Sequence, residues 1–454
     1  MLIPFGTNDW SSPFTDVNRL RLHNMYLVDN PLSPDGISRI PRPGLSTFAK
    51  VGFGQIYGMW QQEGSFNGDI FVVAGNRLYR MTESAPVLIG ALIGEEHPQF
   101  AGNTERILIL RDGVVYSTNG STLSVVPMPD NVQVGSIACI DSVFLLSVAN
   151  TQVFYWLNPG ETTPDPLNFA SAERIPDKIV SIAIAFDEIW FLGSQGPEVW
   201  TSTGDADAPY RRITGRVYSE GCQDRKSVVV TAYNSAPAIM WVTDKRCVVL
   251  AQGQPQRVSN DAIEEFLRSS DDFHAWGFRQ NRHDFYVLTC EQGTFVYDIT
   301  KGNWSWWDSL NYPYWRARTG IQANQEVYAG DSESNTVWTL EETGMDDTDP
   351  IICEVSGFVL NTANQQPCYS VNIACNTGWT GTYTTEPIIE LRWSDDLGST
   401  WSPYMSRPLG KTGKYTTDVT FRSLGDIFRP GREFEIRFAA KERIRVDYAT
   451  MNEV

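Results

Sequence analysis

Hydrophobic and polar positions along this chain fall into a repeating unit: an apolar run, a polar turn and a second apolar run. The unit occurs seven times, with first strands beginning near Ile70, Ile107, Val143, Ile189, Ile239, Phe285 and Val327. Successive starts lie 37, 36, 46, 50, 46 and 42 residues apart. A strand-based period of roughly 40–50 residues, with almost no helical pattern between repeats, predicts a β-propeller. The turns hold the residues that hairpins need. Ala74-Gly75-Asn76 parts Asp69–Val73 from Leu78-Tyr79, and Arg111-Asp112-Gly113 parts Ile107–Leu110 from Val114–Tyr116. Several runs are continuously apolar, as strands covered on both faces are. One segment breaks the pattern: Asn260 and Asp261 precede Ile263, Phe266 and Leu267 on a single face, which predicts a helix over 260–269.

The flanks read differently. Residues 1–50 are broken by Pro4, Pro13, Pro31, Pro34, Pro41 and Pro43. They are expected to be a loop-rich segment docking on the propeller, with short strands at Met25–Val28 and Ser38–Ile40. Residues 51–345 are the expected propeller, of about six to seven blades. Its count stays open, because an N-terminal strand could complete the last blade or one hairpin could be an insertion. The stretch Glu341–Pro350 holds five acids, a Gly and a Pro without periodicity and marks a boundary. Residues 346–454 then read as a smaller C-terminal β-sandwich or jelly-roll-like domain, with strand patterns at Ile388–Trp393, Tyr415–Phe421, Phe434–Phe438 and Ile444–Tyr448. The fold class expected is all-β.

Charge changes this picture. The formal net charge is −18, yet residues 351–454 carry 11 basic against 12 acidic side chains, so the excess lies in the first 350 residues, at 25 against 42. An acidic propeller repels nucleic acid instead of holding it. Excess carboxylates also simply keep a large protein soluble. No apolar run approaches the ~20 residues that span a bilayer. The first residues lack the basic start and apolar core of a signal peptide, so the expectation is a soluble chain without a membrane anchor, folded in a cytoplasm.

Chemistry-bearing motifs are few. The seven cysteines (Cys139, Cys222, Cys247, Cys290, Cys353, Cys368 and Cys375) contain no Cys-x-x-Cys. Cys368 and Cys375 could pair or bind metal, although no His lies near them, and His23, His97, His274 and His283 are scattered. No metal or cofactor is expected. Acid pairs such as Glu95-Glu96, Glu264-Glu265 and Asp271-Asp272 read as solvated surface in a chain of 54 acids. The aromatic run Trp304–Trp307 with Tyr312, Tyr314 and Trp315 could stack on sugars or bases, or close a blade core or subunit contact.

The sharpest local pattern is Ser394-Asp395-Asp396-Leu397-Gly398-Ser399-Thr400-Trp401. It resembles the Asp-box of sialidases, Ser-x-Asp-x-Gly-x-Thr-Trp, with Thr400 at the Thr position, a structural hairpin in which Ser394 and Asp396 bond backbone groups, Gly398 takes a positive φ and Trp401 packs underneath. The box occurs once and lies outside the propeller repeats. No arginine triad or tyrosine–glutamate nucleophile can be picked out of the sequence. A glycan-binding or sialidase-like propeller acting as a host-receptor module stays as the alternative function; nothing requires an enzyme.

The order of features resembles one family, the tail nozzle or packaged DNA stabilisation proteins of short-tailed bacteriophages. Asn24–Leu27 followed by Arg42-Pro43-Gly44-Leu45 looks like its opening strand and turn, although here the Arg sits beside the Pro. Gly75-Asn76-Arg77-Leu78-Tyr79 is similar to its Gly-x-x-Leu-Tyr hairpin. Gly193–Trp200, Thr203-Gly204-Asp205-Ala206 and Pro209-Tyr210 form the strongest match, followed in order by the helix at 260–269, Phe295–Asp298 and Ala329–Ser334. The resemblance implies a virion protein made in the host cytoplasm. It implies a homo-hexameric ring below the head-to-tail adaptor, a tail needle or plug at the distal end, and tailspikes or fibres outside. Genomic DNA would pass through the lumen without sequence-specific binding, and an acidic wall bordering it would let DNA slide.

Overall fold

Seven antiparallel four-strand blocks of sheet recur among the described residues, five standing alone and the sixth and seventh continuing into larger sheets. Their innermost strands are Ile56–Trp60, Gln99–Gly102, Val134–Ile140, Ile179–Ala185, Val229–Tyr233, His274–Gln280 and Ala317–Ala323. These seven blocks are the blades of a β-propeller, numbered 1 to 7 in that order. The structure is a computed structural model that describes residues 1–7, 20–82, 85–173, 177–205, 209–378 and 386–452; Pro13 and Ala206 lie outside the described residues.

The strands read from sequence as the first of each unit are the second strands of the blades. Ile70–Ala74, Ile107–Arg111 and Val143–Val148 each sit between an inner strand and a third strand. The physical reason is burial. Second strands are sandwiched between neighbouring blades, so Ile70–Ala74 and Ile107–Arg111 are buried at every position. The inner strands face the axial channel on one side and the outer strands face solvent, which dilutes their apolar signal.

Blade 7 is closed by the N-terminal part of the chain. Ala317–Ala323, Glu326–Asp331 and Thr336–Glu341 supply three strands, and Gly44–Lys50 pairs antiparallel with the last of them as the fourth. This fastening ties residues some 290 positions apart, such as Leu45 opposite Leu340. The helix between blades 5 and 6 spans Asp261–Arg268, with the Asn260 side chain accepting the Ile263 N–H at 3.0 Å. It buries Ile263 and Leu267 and stacks Phe266 on Phe295 at 4.9 Å.

The rest of the chain forms a two-sheet β-sandwich, and residues 1–50 contribute more to it than to the propeller. One sheet runs Met25–Asp29, Ile37–Pro41, Val446–Met451, Ser370–Cys375, Thr420–Arg422, with Leu2–Ile3 also pairing on Val446–Met451. The other begins at Leu22–His23 and continues through Cys353–Leu360, Gly431–Phe438, Ile388–Ser394 and Met405–Pro408. Ile3, Leu22, Met25 and Leu27 share one core with Val355, Phe421, Phe434 and Ile436. The strand expected at Tyr415–Phe421 is confined to Thr420–Arg422. The preceding residues are turn, with Thr417 Oγ1 donating to the Lys414 carbonyl and Tyr415 largely exposed.

The acidic boundary is ordered. Met345–Asp346 and Asp349–Pro350 pair as a short hairpin lying beside Gly44–Lys50, and Asp346 is buried. Leu22–His23 also bonds in parallel to Asn303–Trp307, the outermost strand of blade 6. Blade 6 and one sandwich sheet are therefore a single nine-stranded sheet.

Candidate functional site

The seven inner strands enclose a central channel, lined among others by Tyr57, Trp60, Phe100, Ile137, Ser181 and Trp276, with a cavity volume of about 530 Å³. Inner strands of about six residues make it ~20 Å long. A cavity of that volume and length is only a few ångströms across, far short of a duplex whose major groove alone is ~12 Å wide. Charged side chains cross the mouth where the inner strands begin. Glu96 from the blade 1–2 connection takes a hydrogen bond from Arg225 of the blade 4–5 connection at 2.7 Å. Lys226 pairs with Asp272 before blade 6, and Arg318 of blade 7 also reaches Asp272, at 3.5 Å.

Between these pairs the rings of His97 and His274 lie 4.0 Å apart. His97 Nδ1 donates to the Tyr57 carbonyl at 2.6 Å, which fixes its ring. Burial, aided by the Arg318 and Lys226 charges, pushes His97 down to about 4, and burial beside His97 holds His274 well below the ordinary histidine value. Both rings are therefore neutral near pH 7. Sequence reasoning left these histidines as scattered residues, because blades 2 and 6 meet only across the closed ring.

The Asp-box residues sit on the hairpin between Ile388–Ser394 and Met405–Pro408. Ser394 Oγ donates to Asp396 Oδ1 at 2.8 Å and accepts the Gly398 N–H at 2.8 Å. Thr400 donates twice to Asp396, from its N–H at 2.7 Å and its hydroxyl at 2.6 Å. Gly398 has φ +85°, and Trp401 Nε1 donates to its carbonyl at 3.1 Å. The Thr400 and Ser394 hydrogen bonds hold the exposed Asp396 carboxylate down at about 2.

Beside the hairpin the fold assembles a tyrosine–glutamate pair that the sequence did not reveal. Tyr404 Oη donates to Glu435 Oε1 at 2.8 Å, and three arginines surround it. Every one is engaged: Arg392 with Glu435 at 2.6 Å, Arg437 with Glu390 at 2.7 Å and Arg21 with Glu354 at 2.6 Å. Arg392 and Arg437 also lie over the Tyr404 ring, at 4.7 and 4.0 Å. Burial and the neighbouring Glu435 raise the Tyr404 hydroxyl far above its ordinary value, the reverse of what a nucleophile needs. The cluster is a packed ladder of charges on a sheet face.

A second polar cluster joins propeller and sandwich. Arg42, fully buried, forks onto Asp346 at 2.8 and 2.7 Å and donates to Asn24 Oδ1 at 3.0 Å and the Asp308 carbonyl at 2.6 Å. His23 lies 2.9 Å from Asp308 and 3.6 Å from Glu354. Burial alone would lower it, but the hydrogen bonds and charges of Asp308 and Glu354 raise it to about 9. Glu354, despite its burial, is held at about 2 by His23 and Arg21. The only sequence signal here was an arginine set between Pro41 and Pro43.

Elsewhere the aromatic run divides: Trp304, Trp307 and Trp315 are fully buried, whereas Trp306, Tyr312 and Tyr314 are half-buried. All seven cysteines are free thiols. Among the described residues no group of three or more potential ligands is placed to hold a metal, and no helix is long and apolar enough to cross a membrane.

A propeller with a fastened last blade, a bridged axial channel and a sandwich stitched to its sixth blade defines an all-β propeller protein. The chain belongs to the phage family described as Bacteriophage P22 Gp10, beta-propeller, whose model matches residues 19–345. It is thus a phage structural protein, a component of the virion. No curated protein matches it. Among solved structures it is similar to the extracellular domain of the one component system BT4673 from B. thetaiotaomicron, at 9% identity and TM-score 0.46 over 90% of this chain and 59% of that one. It is also similar to PorZ of Porphyromonas gingivalis (11%, TM-score 0.38, 72% and 44%) and to BBS1N in complex with ARL6DN (11%, TM-score 0.42, 66% and 97%). The chain spans under two thirds of the first of these structures, and at such scores the likenesses carry no argument.

Proposed function

We propose that this protein is a tail nozzle subunit: several copies, six on the family pattern, form a ring below the head-to-tail adaptor that extends the DNA channel and helps retain the packaged genome. The observation that carries the reading is the family match over residues 19–345. The narrow, bridged axial channel supports it, because DNA that passes this protein has to run between copies and not through one. A needle or plug at the distal end and tailspikes or fibres outside complete the proposal. The acidic excess of the first 350 residues suits a wall along which DNA slides, by like-charge repulsion.

Negative-stain imaging of the protein mixed with virion tails tests the reading. Six-fold density around the channel is expected, and density lacking rotational symmetry about the channel would sink it. A ring whose bore is lined by Lys and Arg, with the acids outward, would overturn the sliding wall alone.

A further inference from the structure

Two faces on the outer rim of the propeller, separated by blade 3, are complementary to each other. The first is the outer rim of blades 1 and 2. Pro86–Ala91 is the edge strand of blade 1 and Leu123–Val125 that of blade 2. They abut so closely that a Cβ on Gly90 would stand 2.9 Å from the Leu123 side chain. Leu88 is 50% exposed, Ile93 72% and Val125 55%. Residues 85–94 and 113–129 contain no charged side chain, in a chain of net charge −18. Three exposed acids, Glu95, Asp112 and Asp130, and one exposed base, Arg77 opposite Ala91, flank the rim. Uncharged apolar surface of this kind marks an interaction site, since the centres of interfaces are depleted in charge.

The second face is the edge strand of blade 4, Tyr210–Val217. Arg211 and Arg212 are exposed and make no ion pair among the described residues, and Val217 beside them is also exposed. Arginine on an edge discourages pairing with a like edge. Against an apolar rim flanked by acids it instead supplies stems to pack and charges to pair.

We infer that the rim of blades 1 and 2 of one copy docks on the blade 4 edge of the next. Copies of a protein this acidic repel one another, so a contact that joins them needs an acid-free centre and a basic counterpart, and one chain carries both. Because the faces differ, the contact is head-to-tail, the kind that generates rings or open filaments. It rests on the nozzle reading only for closure into a ring.

The test is a double variant of the full chain, Leu88→Cys with Arg212→Cys, mildly oxidised at high concentration and again on virion tails. Unchanged thermal unfolding under reducing conditions checks the fold. The expected result is a disulfide-linked ladder of copies from the double variant and none from either single variant. A dimer from Leu88→Cys alone overturns the inference, because it means a two-fold contact. Absence of a ladder in both settings overturns it too. A six-fold ring without a ladder removes these faces and leaves the nozzle standing, whereas a ladder without a ring keeps the faces and removes the nozzle.

Discussion

Arg42 is the residue on which propeller and sandwich converge, and its burial makes it costly to disturb. Its two-pronged contact with Asp346 and its bonds to Asn24 and Asp308 satisfy a guanidinium that is fully buried. Arg42→Ala strands the Asp346 carboxylate in the interior and is expected to cost about 3–5 kcal/mol, measured by chemical denaturation. His23 gives the same junction a pH dependence. Its folded value is raised to about 9, so its contribution is complete below the unfolded value near 6.5 and is lost as pH rises through about 9. Wild type should lose stability across that window by an amount of order 2–3 kcal/mol, and His23→Gln should flatten the slope in thermal unfolding at pH 6 to 9.5. Burial holds the Cys139 and Cys368 thiols up at about 11, above this window. At the Asp-box, Thr400→Val removes the hydroxyl donor, and the Asp396 titration, followed by NMR, should move from about 2 toward the ordinary carboxylate range.

At the scale of elements, the second strands were legible because they are buried from both sides, and the helix because its cap and apolar face are local. The inner and outer strands were not, since each shows water one side. The strands near residues 25 and 40 were visible as strands, but their partners were not. Nothing local to Met25 tells that its sheet is completed by Val446–Met451. The site was less legible still: the His97–His274 contact and the Tyr404–Glu435 pair exist only once distant strands register. The fastening strand is the element most open to test. Leu45 is buried among Trp338, Trp315 and Leu340. Leu45→Ala should cost about 2–5 kcal/mol, and hydrogen exchange should show the loss first in Thr336–Glu341, its ladder partner. Uniform loosening of all seven blades would contradict that placement.

For the whole molecule, neither body is one contiguous stretch of the chain. Blade 7 needs Gly44–Lys50, blade 6 continues into the sandwich, and the sandwich needs strands from both flanks. The fragment 51–345 is therefore expected to lack a cooperative thermal transition, while a fragment beginning before Gly44 recovers one; calorimetry compares them. This dependence has a consequence in time. Leu2 pairs with Thr450 and Ile3 with Ala449. At the ~5–20 residues per second of synthesis, the first strand waits roughly 20–90 s on the ribosome for its partner. The propeller can fasten earlier, when Thr336–Glu341 emerges to meet Gly44–Lys50. For the remainder of translation Leu22, Met25 and Leu27 have no core to enter, and the nascent chain presents them to whatever chaperone shields such surface.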